Sequence, residues 1–204
     1  IPKDAFKLMK LPGIGIKTAM KLLAEGGKGE VDEKLKEVDT LEKKDKRHLL
    51  PYASLIAAEV IDYMRKNSFV KKIDPLGSLR RQVSTVGDID ISVATNNPIE
   101  VLNYFVKYPK TQKIIEKGEH SASIIVPGGV QVDLIAQEAE SYGSLLQHFT
   151  GSKHHNIALR EYALKKGFSL SEYGIKKVGD NDKKIKEFLN EEDFYKYLGL
   201  EWIP

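Results

Sequence analysis

Along the first third of the chain, apolar positions recur at the spacing of helices that bury one face. Ala5 to Met9 reads as a short helix and Lys17 to Leu23 as a second, and the string Leu11-Pro12-Gly13-Ile14-Gly15-Ile16 between them ends one and starts the other. Gly26-Gly27-Lys28-Gly29 closes that unit, and 32–47 is a highly charged segment, helical or turn-rich. Behind Pro51, which suits a first helical turn, apolar residues at 52, 55, 56, 60 and 63 again follow helical spacing. Residues 1–67 are therefore expected to be all-helical. At 69–76 the texture changes to short β-like runs. Ile89-Asp90-Ile91-Ser92-Val93 alternates apolar and polar side chains, as do 123–126 and 130–135, which Pro127-Gly128-Gly129 joins as a hairpin. Ile99 to Tyr108 reads as a helix behind Asn97-Pro98, so 68–137 is predicted to be a small α+β sheet domain. From Ser141 onward helices return, at 142–149, at 154–166 with Gly167 marking the end, and at 182–198.

Composition adds bounds. A chain of 204 residues with 41% hydrophobic content can fill a real core, and its length suits two or three small lobes. The absence of Cys excludes disulfides, thiolate zinc sites and cysteine nucleophiles. No apolar run approaches the roughly 18 residues that span a bilayer, so a soluble, intracellular protein with no membrane partner is expected. The formal charge is +3, unevenly placed: residues 1–75 hold 16 basic and 12 acidic side chains. That imbalance permits a polyanionic partner without requiring one. The start at Ile1-Pro2, without a charged-then-apolar leader, reads as an excerpt of a longer chain.

Two constellations carry chemistry. At Pro12-Gly13-Ile14-Gly15, free backbone N–H groups at a helix N-terminus would face outward, and glycine lets a phosphate approach with no Cβ in the way. Such a site grips a nucleic-acid backbone without reading bases, and Lys17 and Lys21 would add salt-sensitive charge. A plain connector would use the same glycines. The whole string from Leu11 to Leu23, with the small residue Ala19, resembles the helix-hairpin-helix motif and implies DNA binding. The second constellation is Gly77-Ser78, Arg80-Arg81 and Gly87-Asp88-Ile89-Asp90. Period-2 alternation points Asp88 and Asp90 to one side while Ile89 enters the core. Adjacent carboxylates repel unless a divalent cation lies between them. Asp133, flanked by apolar Val132 and Leu134, should project from the polar face of another strand. Three oxygen donors with Ser and Arg nearby suit Mg²⁺ and a triphosphate. An Asp-x-Asp pair alone is also what a strand's solvent face looks like; the upstream Gly-Ser and the third aspartate decide against that reading. His120, His154 and His155 lack zinc-ligand spacing.

Gly77-Ser78 with Asp88-Ile89-Asp90 resembles the nucleotidyltransferase signature. The longer strings 76–81, 85–90, 132–134 and 149–156, with Arg160 and Glu172-Tyr173-Gly174, resemble the family X DNA polymerases, the group of polymerase beta and the bacterial family X enzymes. The resemblance spans nearly the whole chain. It implies an α+β fold: a nucleotidyltransferase palm with a mixed sheet at 68–137, flanked by a helix-hairpin-helix lobe of fingers type at 1–67 and a small α+β lobe of thumb type at 138–204. It implies that Asp88 and Asp90 bridge two Mg²⁺ ions, replaceable by Mn²⁺, and that Asp133 binds only the catalytic one. It further implies phosphate contacts from Gly77, Ser78, Arg81 and Gly87, a sugar-side turn at Phe149, Thr150 and Gly151, a base contact from Asn156, and DNA contacts from Gly13, Gly15, Lys17 and Arg160. A monovalent cation at the hairpin completes the set. Glu172 and Tyr173 are expected to position neighbouring side chains.

The implied function is addition of dNMP from dNTP to a primer 3′-hydroxyl on gapped DNA, as in base excision repair, by a monomer in a bacterial-type cytoplasm at the nucleoid. A template-independent or RNA-type nucleotidyltransferase and a non-catalytic DNA scaffold are the competing readings. Four departures from the family pattern bear on the details: Gln82 where Gly is usual, Ser84 for an acidic residue, His148 where Tyr is frequent, and Gln131 and Ile135 where vertebrate members carry arginines. The family's lyase lobe and phosphoesterase domain have no counterpart in these residues, so neither activity is expected.

Overall fold

Gly13 takes φ +79°, a left-handed conformation open to glycine at no steric cost, and turns α1 (Lys3–Leu8) back into α2 (Ile16–Glu25). The computed structural model describes residues 1–45, 47–179 and 184–203. The chain divides into two compact units, Ile1–Arg47 and His48–Pro204. In the first, α3 (Lys28–Asp45) follows α2, beginning inside the glycine-rich stretch and taking up the charged segment up to residue 45. Ala5, Leu8, Leu11, Ala19 and Val38 form its buried core. Ala19 is fully buried, as a small residue at a close helix contact should be.

The second unit starts with the short strand β1 (His48–Leu49) and the helix α4 (Leu50–Met64), with Pro51 in its first turn. Next come β2 (Lys72–Pro75), the single turn α5 (Gly77–Arg80), β3 (Thr85–Val86), β4 (Ile89–Ala94), α6 (Pro98–Phe105), β5 (Lys113–Lys117), β6 (Ser121–Val126) and β7 (Val130–Gln137). A five-stranded sheet runs in the order β2-β4-β7-β6-β5. Only β4 and β7 pair in parallel; the other neighbours are antiparallel, and Pro127-Gly128-Gly129 closes the expected hairpin. Ile89, Ile91, Val93, Val132 and Leu134 share a core with Ala53, Ala57, Val60 and Met64 of α4 and Val101, Leu102 and Phe105 of α6. One face of the sheet is thus buried under two helices, and period-2 alternation sends Asp90 and Asp133 to the other. Because α4 packs into this core, it lies in the second unit. The all-helical reading of 1–67 does not survive as one lobe, and β1 interrupts it.

After a 3-10 turn at Ala139–Ser141 come α7 (Tyr142–Thr150), α8 (Lys153–Lys165), β8 (Phe168–Ser171), β9 (Gly174–Lys177), β10 (Ile185–Lys186) and α9 (Glu191–Tyr197). Ser152 caps α8 by accepting from the His155 N–H at 3.4 Å, and Asn190 caps α9 by accepting from the Asp193 N–H at 2.8 Å. A three-stranded antiparallel sheet of order β10-β9-β8 lies among these helices, strands that periodicity did not predict, and it makes this end α+β, as the resemblance implied. The helix expected over 182–198 is corrected to Glu191–Tyr197, with β10 ahead of it; 182 and 183 lie outside the described residues. Tyr142, Leu145 and Leu146 of α7 pack on Leu76 and Ala94, seating this lobe on the sheet. Among the described residues no helix is long and apolar enough to cross a membrane.

Candidate active site

The parallel register places Asp90 of β4 directly beside Asp133 of β7, and Asp88 stands two positions before Asp90 at the entry to the strand. Ligand atoms of all three carboxylates lie within 4.8 Å of one another. Asp88 is exposed and the other two are half-buried. Burial, then the charges of Asp88 and Asp133, push the Asp90 carboxyl up to about 7, and Arg81 offsets this only in part. Burial also raises Asp133, while hydrogen bonds from Ser123 and Gln131 pull it back down. The Gln131 amide donates to both Asp133 oxygens, at 3.0 and 3.1 Å. Three clustered carboxylates with one already protonating near neutrality form a donor set for hard divalent cations such as Mg²⁺, whose binding would relieve that repulsion.

Gly77 opens α5 at φ +54°, where an added Cβ would fall on the Asp90 carboxylate. Only glycine lets the backbone of this turn pass so close to the strand that carries Asp90. Ser78 follows on α5, half-buried, and Gly87 lies in the two-residue link between β3 and β4. Gln82 adopts φ 56° and donates its amide to the Leu79 carbonyl at 3.1 Å. A residue with a Cβ thus holds a left-handed backbone that glycine would adopt without strain.

The two arginines after Ser78 behave differently. Arg80 reaches across to α9, donating to both Glu191 oxygens at 3.0 and 2.5 Å and to Thr150 Oγ1 at 2.5 Å. Burial disfavours its charge, but the hydrogen bond and charge of Glu191, together with Asp74 and Tyr142, outweigh burial and its pKa rises. Arg81 is exposed and donates to the Thr150 backbone carbonyl. Phe149, Thr150 and Gly151 form the end of α7, and the following Gly151–Ser152 peptide is cis. Arg80, Arg81, Gln147, Thr150, Gly151 and Tyr195 help line a cleft of about 570 Å³. A smaller groove of about 260 Å³, between α4 and the 108–110 and 126–127 segments, contains none of the candidate residues.

Asn156 and Arg160, one turn apart on α8, converge on a single residue. The Asn156 amide donates to the His148 carbonyl at 2.6 Å and accepts from Gln147 at 2.9 Å, while an Arg160 nitrogen lies 3.4 Å from His148 Nδ1. Glu172 reaches the same Nδ1 at 3.9 Å. In the first unit, Gly13, Gly15 and Lys17 are all exposed, and Gly15 supplies no side-chain cap to α2. Sequence reading missed Glu191, Gln131 as a clamp on Asp133, and the ring contacts of His148. Of these only Gln131 had a signal, its i, i+2 spacing from Asp133 on one face of the strand.

Residues 145–204 match the family model described as DNA polymerase beta thumb. The chain is 32% identical over its full length to the DNA polymerase/3′-5′ exonuclease PolX of Bacillus subtilis (strain 168), and spans 40% of that protein. In fold it matches Leishmania infantum polymerase beta, solved as a ternary P/T complex, with a TM-score of 0.71 and 20% identity over 98% of this chain and 96% of the other.

Proposed function

The chain is related in sequence and fold to the family X DNA polymerases, and on that premise we propose that it adds deoxynucleotides to a primer 3′-hydroxyl on gapped DNA, as repair synthesis requires. The observation that carries this reading is the convergence of Asp88, Asp90 and Asp133 within 4.8 Å, beside a glycine turn that only a residue without Cβ can make. Asp88, Asp90 and Asp133 would hold a pair of divalent cations, Mg²⁺ or Mn²⁺, whose chemistry when bound is to acidify the primer hydroxyl and neutralise charge on the triphosphate. The protein's own part is placement. Gln131 and Ser123 hold the Asp133 carboxylate in orientation. Gly77, Ser78, Arg81 and Gly87 line the approach to Asp90 and offer a cradle for phosphate oxygens. Phe149, Thr150 and Gly151 face the sugar, Asn156 the base, and Arg160 the template. Gly13, Gly15 and Lys17 grip the backbone of the duplex, with a monovalent cation at the hairpin. We place the protein in the cytoplasm, at the nucleoid, as a monomer.

Primer extension on a gapped duplex with Mg²⁺, by this chain and by Asp133→Ala, is the test. The wild-type chain should incorporate one matching nucleotide, and the variant should lose at least about two orders of magnitude in rate, the scale of removing one preorganised electrostatic contact at a reacting centre. Equal rates would remove the catalytic assignment. Incorporation on single-stranded primer as fast as on the gapped duplex would favour a template-independent transferase.

A further inference from the structure

One ring nitrogen near the end of α7 has two partners that demand opposite protonation states. His148 Nδ1 lies 3.4 Å from a guanidinium nitrogen of Arg160 and 3.9 Å from a carboxylate oxygen of Glu172. Arginine can only donate, so its bond needs Nδ1 to carry a lone pair; a carboxylate can only accept, so its pairing needs Nδ1 to carry a proton. The two contacts therefore exclude each other. We propose that His148 is a positioning residue that selects between them: neutral, it holds Arg160 over the α7–α8 junction; protonated, it turns to Glu172 and releases Arg160. This deepens the polymerase reading and rests on it, since Arg160 is there the template contact and Asn156 the base contact.

The surroundings suit a selector. The His148 carbonyl accepts from Asn156 at 2.6 Å, so the same residue fixes both members of the α8 pair. The ring is half-buried, tilted against Phe149 at 4.8 Å between centroids. Glu172 sits in the β8–β9 turn, whose backbone is tied to the sheet: its carbonyl accepts from Gln137 at the end of β7, the strand that carries Asp133. The charged groups bearing on the ring are Glu172 from that turn and Arg160 from α8, and burial outweighs Glu172, so the imidazole titrates below its ordinary value, with Arg160 pulling the same way. Near neutral pH the ring is then uncharged and Arg160 is held. Nothing in the residue's position next to Phe149 announces this.

Two measurements on the full chain decide it. The first is an NMR titration of the histidine rings, with the His148 signal among the five histidines assigned by its loss in His148→Gln. The midpoint should rise in Arg160→Gln and fall in Glu172→Gln, each by about half a pH unit for charges at this distance on a half-exposed ring. A midpoint unmoved by both substitutions overturns the proposal. The second is single-nucleotide insertion between about pH 5.5 and 8, through the range in which histidine titrates. His148→Gln keeps an oxygen that can accept from Arg160 and cannot be protonated, so it should hold its high-pH KM for the matching dNTP throughout. The wild-type KM should climb about threefold on the acid side, with kcat following the same curve in both proteins. Coincident KM profiles would overturn the selector. If neither protein incorporates nucleotide, the polymerase reading fails, and the ring titration alone still decides whether Arg160 and Glu172 compete for Nδ1.

Discussion

Asp90 holds its position against electrostatics. Its carboxyl is pushed up to about 7 by burial and by the charges of Asp88 and Asp133, whereas in an unfolded chain it would titrate near an ordinary carboxylate value of about 4. The folded state therefore binds more protons than the unfolded state between about pH 4 and 7, and the stability due to this group falls as pH rises through that window. Three pH units of displacement correspond to at most about 4 kcal/mol, and coupling to the other two aspartates lowers what one substitution recovers. In EDTA, Asp90→Asn should raise the melting temperature at pH 8, by the equivalent of about 1–3 kcal/mol, and leave it nearly unchanged at pH 4. Saturating Mg²⁺ should narrow the pH 8 difference by stabilising the wild type. Destabilisation at pH 8 in EDTA would mean that the site is not under charge strain. These aspartates were legible in the sequence because strand alternation alone assigns them a face. Glu191 was not legible, since 111 residues separate it from Arg80 and no periodicity spans that interval.

The turn α5 and the helix α9 are joined through that one pair, and Thr150 at the end of α7 shares the guanidinium. Glu191 is only 8% exposed, so removing its charge leaves a partly buried guanidinium without its counter-ion. Glu191→Gln should lower stability by about 2–3 kcal/mol in urea unfolding, and Arg80→Met combined with Glu191→Met should recover part of that loss, because an apolar pair needs no counter-charge. A silent Glu191→Gln would reduce the pair to a surface contact. Element reading succeeded where a boundary residue and periodicity agreed, as with Pro51 for α4, Pro98 for α6 and Gly167 for α8. It failed over 182–198, where a charged, lysine-rich run has helical composition but Ile185 and Lys186 pair with β9 instead. It also passed over β8 and β9, four residues each, which are too short for alternation to register and are held by pairing to each other.

On the polymerase reading, the first unit carries its candidate DNA contacts in the turn before α2, at Gly13 and Gly15, and at Lys17 in its first turn. Lys21 lies 3.8 Å from Glu25, so part of its charge is already met, while Lys17 is exposed at the start of the helix. Lys17→Gln should lower the affinity for a gapped duplex and flatten the slope of log K against log salt by about 0.7–0.9, as expected when one fewer phosphate is neutralised. Fluorescence anisotropy at several salt concentrations measures this, and an unchanged slope would assign the phosphate to another side chain. For the protein as a unit, local chemistry wrote most of the helices, the central strands β4, β6 and β7, the face of each aspartate and the glycine turns into the sequence, since each depends on neighbours a few residues away. Folding alone decided that α4 belongs with the sheet, that Glu191 pairs with Arg80, and that Asn156, Arg160 and Glu172 meet at His148. Those contacts join residues whose separation along the chain carries no pattern, and only packing the hydrophobic faces of distant segments together brings their polar groups within reach.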